Sequence, residues 1–153
     1  AVIATDMSEY RLDLARKMGA TCVINVKTQS LHQVVEPYAQ GIGVDVVLEM
    51  SGNGQALQDG LRALAPGGTA VLLGIPSQPI QLDLNQLVIF KEARLLGVHG
   101  RQMFETWFLM RRLLENKQLD IGPIITHQFA LADFGQAIEQ VASGQSGKVL
   151  LKP

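Results

Sequence analysis

Asp6 is the leading candidate for chemistry: it follows the run "AVIAT" and precedes Ser8 and a helix-like stretch that closes at Gly19. A carboxylate at the tip of a strand can accept hydrogen bonds from both hydroxyls of a ribose, and its charge repels a 2′-phosphate. The same acid, lying just before a helix, is also favoured there by the helix dipole alone. Spacing by itself leaves both uses open. Glu49, Ser51 and Asn53 cluster where "VDVVLEM" ends. Ser51 and Asn53 can touch a ligand or cap the next helix, and capping is the better reading. Arg101 can reach a phosphate or a neighbouring subunit, and Lys148, in "GKVLL", can approach a pyrophosphate.

The histidines and the cysteine offer less. His32, His99 and His127 have no close ligand spacing among them, and His32 reads as a surface residue of a helix. Cys22 is the single cysteine, which excludes an internal disulfide and a cysteine-based metal cluster. No zinc site is expected within this chain.

These residues sit on an alternation of β-rich runs and amphipathic stretches, the pattern of a parallel sheet wrapped by helices. "AVIAT", "TCVINV" and "VDVVLEM" read as the first three strands, "TAVLLGI" as a fourth, "ARLLGV" as a fifth and "GKVLL" as the last. Ser8 caps a helix carrying Leu14 and Met18 on one face, and Pro37 disturbs the end of the helix "QSLHQVVEPYA". Ala56, Leu57, Gly60, Leu61 and Leu64 share a helical face that "PGG" at 66–68 terminates. A looser segment separates the fourth and fifth strands. Met103, Trp107, Met110 and Leu114 mark a further helix, and Phe134, Ala137, Ile138, Val141 and Ala142 another. The fold class is α/β.

With 153 residues, 47% of them hydrophobic, and a net charge of −1, the chain suits one globular domain. No basic excess points to nucleic acid, and no apolar run approaches the length of a membrane span. The cysteine usage agrees with a reducing compartment, and a cytoplasmic location is expected.

A dinucleotide fold places a glycine-rich loop about 20 residues ahead of the ribose-binding acid, yet only five residues precede Asp6. "GIGVDV" at 41–46 lies before a strand, and "SGNGQAL" at 51–57 has Leu57 where a third glycine belongs. Both read as turns. A doubly wound sheet without its first strand would leave two strands short of a common neighbour, exposing unpaired backbone groups. The chain therefore reads as the C-terminal part of a longer enzyme: a Rossmann-like doubly wound parallel sheet lacking its first strand and glycine-rich loop.

"TDMSEYRLDLARKMGAT", "VLEMSGN", "LGIPS", "VIFKE", "GVHGRQMFETW" and "PIITHQFALADFGQAIEQVASGQSGKVLL" follow one another in this order. Together they resemble the zinc-dependent medium-chain dehydrogenases, and most of all the members that oxidise L-threonine. The resemblance implies NAD as hydride acceptor, with zinc held by an N-terminal catalytic domain absent from residues 1–153. It implies that Asp6 holds the adenosine ribose and that Arg11 lies at the adenosine end, where a guanidinium can stack on adenine. Leu73, Gly74 and Ile75 would line the nicotinamide–ribose passage, and backbone at Val98 and His99 would meet the carboxamide. A catalytic role for the His99 ring is not expected. Residues from about 124 to 153 would return toward the catalytic domain, with His127 hydrogen-bonding there. The edge strand 94–98 would pair with a second copy in a dimer or tetramer. Another zinc-dependent polyol or alcohol dehydrogenase, or a nucleotide-binding or assembly module without chemistry, stays open as an alternative. An adenosylmethionine-dependent methyltransferase is disfavoured by "LGIPSQP" and "SGKVLL".

Overall fold

A computed structural model describes residues 1–100 and 102–153; Arg101 lies outside the described residues. In chain order the elements are β1 (Ile3–Asp6), α1 (Glu9–Lys17), β2 (Cys22–Asn25), α2 (Leu31–Ala39), β3 (Val44–Glu49), α3 (Gly54–Ala63) and β4 (Leu64–Leu72). A π-helical turn at Asn85–Ile89 follows, then β5 (Arg94–Gly97), α4 (Glu105–Glu115), β6 (Ile125–Ala130), α5 (Phe134–Ala142) and β7 (Lys148–Lys152). The chain forms two compact units, Ala1–Gln29 with Met103–Pro153, and Ser30–Gln102.

In the first unit β1 and β2 pair in parallel, Ile3 opposite Cys22 through Asp6 opposite Asn25. Helix α1 joins them. Its N-cap is Ser8, whose Oγ accepts from the Arg11 N–H at 3.5 Å. Leu12 is the side chain α1 buries, whereas Met18 ends the helix exposed. The apolar anchor thus lies off the expected Leu14–Met18 face. The same unit holds a strand that is not among those read from the sequence: β6 pairs in parallel with β7 across α5, from Ile125 opposite Lys148 to Ala130 opposite Lys152. Helix α4 carries Trp107 and Met110 exposed and buries no residue, so its periodic stripe is not a core face.

The second unit is a three-stranded parallel sheet in the order β3-β4-β5. One face packs against α3, which buries Leu57, Gly60 and Leu61. Leu57, Leu61, Leu64, Ala70 and Leu87 form the buried core, with Val47, Leu72, Ile80 and Leu95 against it. Burying each of the four leucines stabilises by roughly 1.5–3 kcal/mol. The π-helical turn brings in Leu87, giving structure to the segment read as loose. "PGG" does not lie between helix and strand: α3 ends at Ala63, and β4 begins at Leu64 with extended backbone and runs through Pro66–Gly68. Proline at 66 disfavours helical backbone at Ala65, so the chain straightens before the glycines.

Lys91 ties this region together. Its Nζ donates to the carbonyls of Leu61, Arg62 and Leu64 at 2.7–2.9 Å, capping the C-terminus of α3. Burial lowers its pKa below the usual lysine value. Pro37 sits inside α2, which continues to Ala39 and ends with Gln40 in left-handed backbone. Among the described residues, no helix is long and apolar enough to cross a membrane.

Candidate functional site

The first candidate group belongs to the first unit. Asp6 is the last residue of β1, and its side chain is 31% exposed. Oδ1 accepts from the N–H groups of Met7 at 2.7 Å and Ser8 at 2.8 Å, a local turn that orients the start of α1. Oδ2 stands 4.0 Å from the Arg11 Nη1, close enough for a loose ion pair. The two backbone bonds occupy the lone pairs of Oδ1. Oδ2 therefore keeps acceptor capacity for an incoming hydroxyl, and the guanidinium lies beside it.

The second group belongs to the second unit and gathers at the carboxyl ends of its parallel strands. The Glu49 carbonyl accepts from Leu73 N–H at 2.9 Å and Gly74 N–H at 3.0 Å, and Val98 N–H donates to Leu72 O at 2.9 Å. These bonds stitch the three strand ends to one another. Ile75 stands 78% exposed, while Leu73, Val98 and His99 are also exposed. Gly74 has no room for a side chain: a Cβ there would overlap the Gly52 nitrogen and lie 2.5 Å from Glu49 Oε2. Gly52 has φ +69°, and a Cβ on it would lie 2.6 Å from Ile75 O. The turns 50–53 and 73–75 are thus in close backbone approach where Gly52 meets Gly74 and Ile75.

The structure assigns the remaining candidates local partners or the surface. Asn53 Oδ1 caps α3, accepting from Gln55 N–H at 2.9 Å and Ala56 N–H at 3.1 Å. Ser51 spends its hydroxyl on Glu49 and accepts from Asn53 N–H, so it shapes the turn and does not cap the helix itself. His32 lies 3.8 Å from Glu36 on an exposed face of α2. His127 Nδ1 lies 2.9 Å from Thr126 Oγ1, and its ring stacks on Phe129 with centroids 6.4 Å apart. Lys148 is exposed at the start of β7. Cys22 is half-buried in β2. No group of three or more His, Cys, Asp or Glu able to hold a metal occurs among the described residues.

Two residues carry more of this architecture than their sequence context suggests. Glu49 is 7% exposed and accepts from Ser51 and Gly52. Its signal is an acid closing an apolar strand just before Met-Ser-Gly. Lys91 has no comparable signal in "VIFKE".

Parallel strands joined by helices, with polar groups at their carboxyl ends, define an α/β chain of the Rossmann-like class. An alcohol dehydrogenase from Thermotoga maritima superposes with a TM-score of 0.87 at 27% identity, over 99% of this chain and 43% of that one. Benzyl alcohol dehydrogenase from Acinetobacter calcoaceticus gives 0.84 at 29% identity, over 98% and 42%. Residues 1–116 match the family model described as zinc-binding dehydrogenase, and the chain belongs to that family. In sequence it is 42% identical to L-threonine 3-dehydrogenase of Bacillus subtilis, over 99% of this chain and 44% of the relative. With L-threonine 3-dehydrogenase of Vibrio vulnificus the identity is 49%, over 98% and 43%. The chain thus spans less than half the length of the curated relatives it matches.

Proposed function

We propose that this chain is the cofactor-binding portion of an NAD- and zinc-dependent dehydrogenase that oxidises the L-threonine hydroxyl to the ketone of 2-amino-3-ketobutyrate. The observation that carries the substrate is the 42–49% identity to proteins named L-threonine 3-dehydrogenase over nearly all of the chain. For the cofactor it is the division of labour in Asp6, whose Oδ1 is held by backbone while Oδ2 retains acceptor capacity.

The donor set fits NAD, which when bound supplies the hydride acceptor. Asp6 Oδ2 accepts from the adenosine ribose, and its charge opposes a 2′-phosphate. Arg11 lies against adenine and softens that opposition. Leu73, Gly74 and Ile75 wall the nicotinamide ribose, and the backbone of Val98 and His99 meets the carboxamide. Zinc has no fitting ligand set among the described residues; in this reading it and the proton-transfer groups belong outside residues 1–153. Residues from about 124 return toward that catalytic part, and the β5 edge, paired only with β4 among the described residues, takes a second copy.

Initial rates of NADH formation by the full-length enzyme with L-threonine, sorbitol and 2,3-butanediol test the proposal. The expected result is the highest kcat/KM with L-threonine and no threonine-dependent turnover by residues 1–153 alone, with or without added zinc. A higher kcat/KM with sorbitol or butanediol overturns the substrate in favour of a polyol dehydrogenase. NAD binding with no turnover of any alcohol leaves a binding module.

A further inference from the structure

We propose that Glu49 is a positioning residue for the nicotinamide half of the cofactor site, acting through the two turns it holds and touching no cofactor atom itself. The inference rests on the reading of residues 73–75 as the nicotinamide wall.

Glu49 grips both turns at once. Its backbone carbonyl takes the N–H groups of Leu73 and Gly74 at 2.9 and 3.0 Å. Its carboxylate takes the other turn: Oε1 accepts from Ser51 N–H at 2.9 Å, Ser51 Oγ at 2.5 Å and Gly52 N–H at 3.1 Å, and Oε2 lies 3.1 Å from the same Gly52 N–H. The turn so held is the one whose Gly52 backbone lies against Gly74 and Ile75. Moving the carboxylate moves Gly52, and Gly52 sits so near Ile75 O that even a Cβ would not fit between them. The path from Glu49 to the exposed Ile75 side chain is therefore one of backbone contacts with little slack.

An acid at this buried position is costly unless its donors are present. Three N–H or O–H groups converge on one carboxylate, which is the arrangement that offsets the cost. An apolar side chain would strand the Ser51 and Gly52 donors. A glutamine keeps the shape, yet its NH2 must replace one oxygen and face an N–H, donor to donor.

The test measures dissociation constants of NADH and of AMP, which carries only the adenosine half, for the full-length wild-type enzyme, Glu49→Gln and Ser51→Ala. Loss of charge-assisted hydrogen bonds at the turn is expected to raise the Kd for NADH about tenfold in Glu49→Gln and about threefold in Ser51→Ala. The Kd for AMP is expected to stay within about twofold of wild type, because Asp6 and Arg11 are untouched. Global loosening of the fold would not produce this split. Equal weakening of NADH and AMP, or no change in either, overturns the inference while leaving the proposed function standing. Should Glu49→Gln fail to fold, the same split in Ser51→Ala decides. A wild-type enzyme that binds neither ligand refutes the proposed function, and the role of Glu49 with it.

Discussion

Replacing Asp6 by asparagine separates the two jobs that its carboxylate can do. The amide oxygen takes the place of Oδ1 and keeps the bonds to the Met7 and Ser8 N–H groups. The NH2 takes the place of Oδ2, so the ion pair to Arg11 disappears. That pair spans 4.0 Å between half-exposed groups, and such pairs contribute about 0–1 kcal/mol. Stability should therefore change by less than about 1 kcal/mol. Binding should change far more. A hydrogen bond to a charged acceptor contributes about 1.5–3 kcal/mol, so the KM for NAD should rise roughly 10- to 100-fold. NADP behaves in the opposite sense, because removing the carboxylate removes its repulsion of the 2′-phosphate. Unit charges about 5 Å apart at an effective dielectric of about 20 interact by about 3 kcal/mol, reduced here by solvent screening. A several-fold fall in the KM for NADP is expected. The assay is steady-state kinetics of the full-length enzyme with each cofactor, alongside thermal melting. Asp6→Ser should lose the turn as well, lowering the melting temperature in addition. Equal changes in KM for the two cofactors, or a lower melting temperature with KM for NAD unchanged, would refute the argument and leave Asp6 as a helix-start residue.

Gly74→Ala should destabilise the enzyme by about 1–3 kcal/mol and weaken NADH binding, because the new methyl meets backbone of Gly52 and the Glu49 carboxylate. Gly135→Ala is its control: a Cβ there meets nothing within 4 Å inside α5, so melting should be unchanged or slightly raised. Lys91→Met should lower stability by about 1–3 kcal/mol through loss of the three carbonyl bonds that cap α3. Its pH dependence has a definite sign. Burial holds the folded-state pKa of Lys91 below 10.5, so the folded state binds this proton less tightly than the unfolded state. The lysine's contribution is thus smallest below the lowered pKa and grows as pH rises through it toward 10.5. Melting curves of wild type and Lys91→Met across that window should diverge with rising pH, and convergence would refute the linkage.

The order of elements was legible because hydrophobic period and punctuation agree over most of the chain. "VDVVLEM" forms a strand whose Val44 and Val47 pack while Val46 and Leu48 stand exposed, and Leu57, Gly60 and Leu61 fall on one side of a helix that buries all three. The errors occur where local signals compete. Gly67 and Gly68 look like a break, yet the break is made by Pro66, which bars helix at Ala65 and lets β4 start early. In β6, "ITHQFA" places polar residues at alternate and adjacent positions, and its partner β7 begins only after a helix has intervened. Pairing at that distance has no local signature. The role of Glu49 was illegible for a similar reason, because a turn two residues away has to curl back before the carboxylate acquires its donors.

Asp6 shows why the choice between helix-start acid and ribose ligand could not be made from spacing. The alternatives compete only if the carboxylate is treated as one group. In the fold it is two acceptors, with Oδ1 spent on the turn and Oδ2 left facing Arg11. The turn bonds also fix the direction in which Oδ2 points, so under the proposed function the structural use would prepare the binding use. It follows that a serine at this position would weaken the pre-organising turn and lose the charge, whereas asparagine would keep the turn and lose the charge and the free acceptor of Oδ2. The difference between those two variants in KM for NAD therefore measures what the turn contributes to binding. If both variants raise it by the same factor, orientation by the turn contributes nothing, and the charge and acceptor of Oδ2 account for the whole effect.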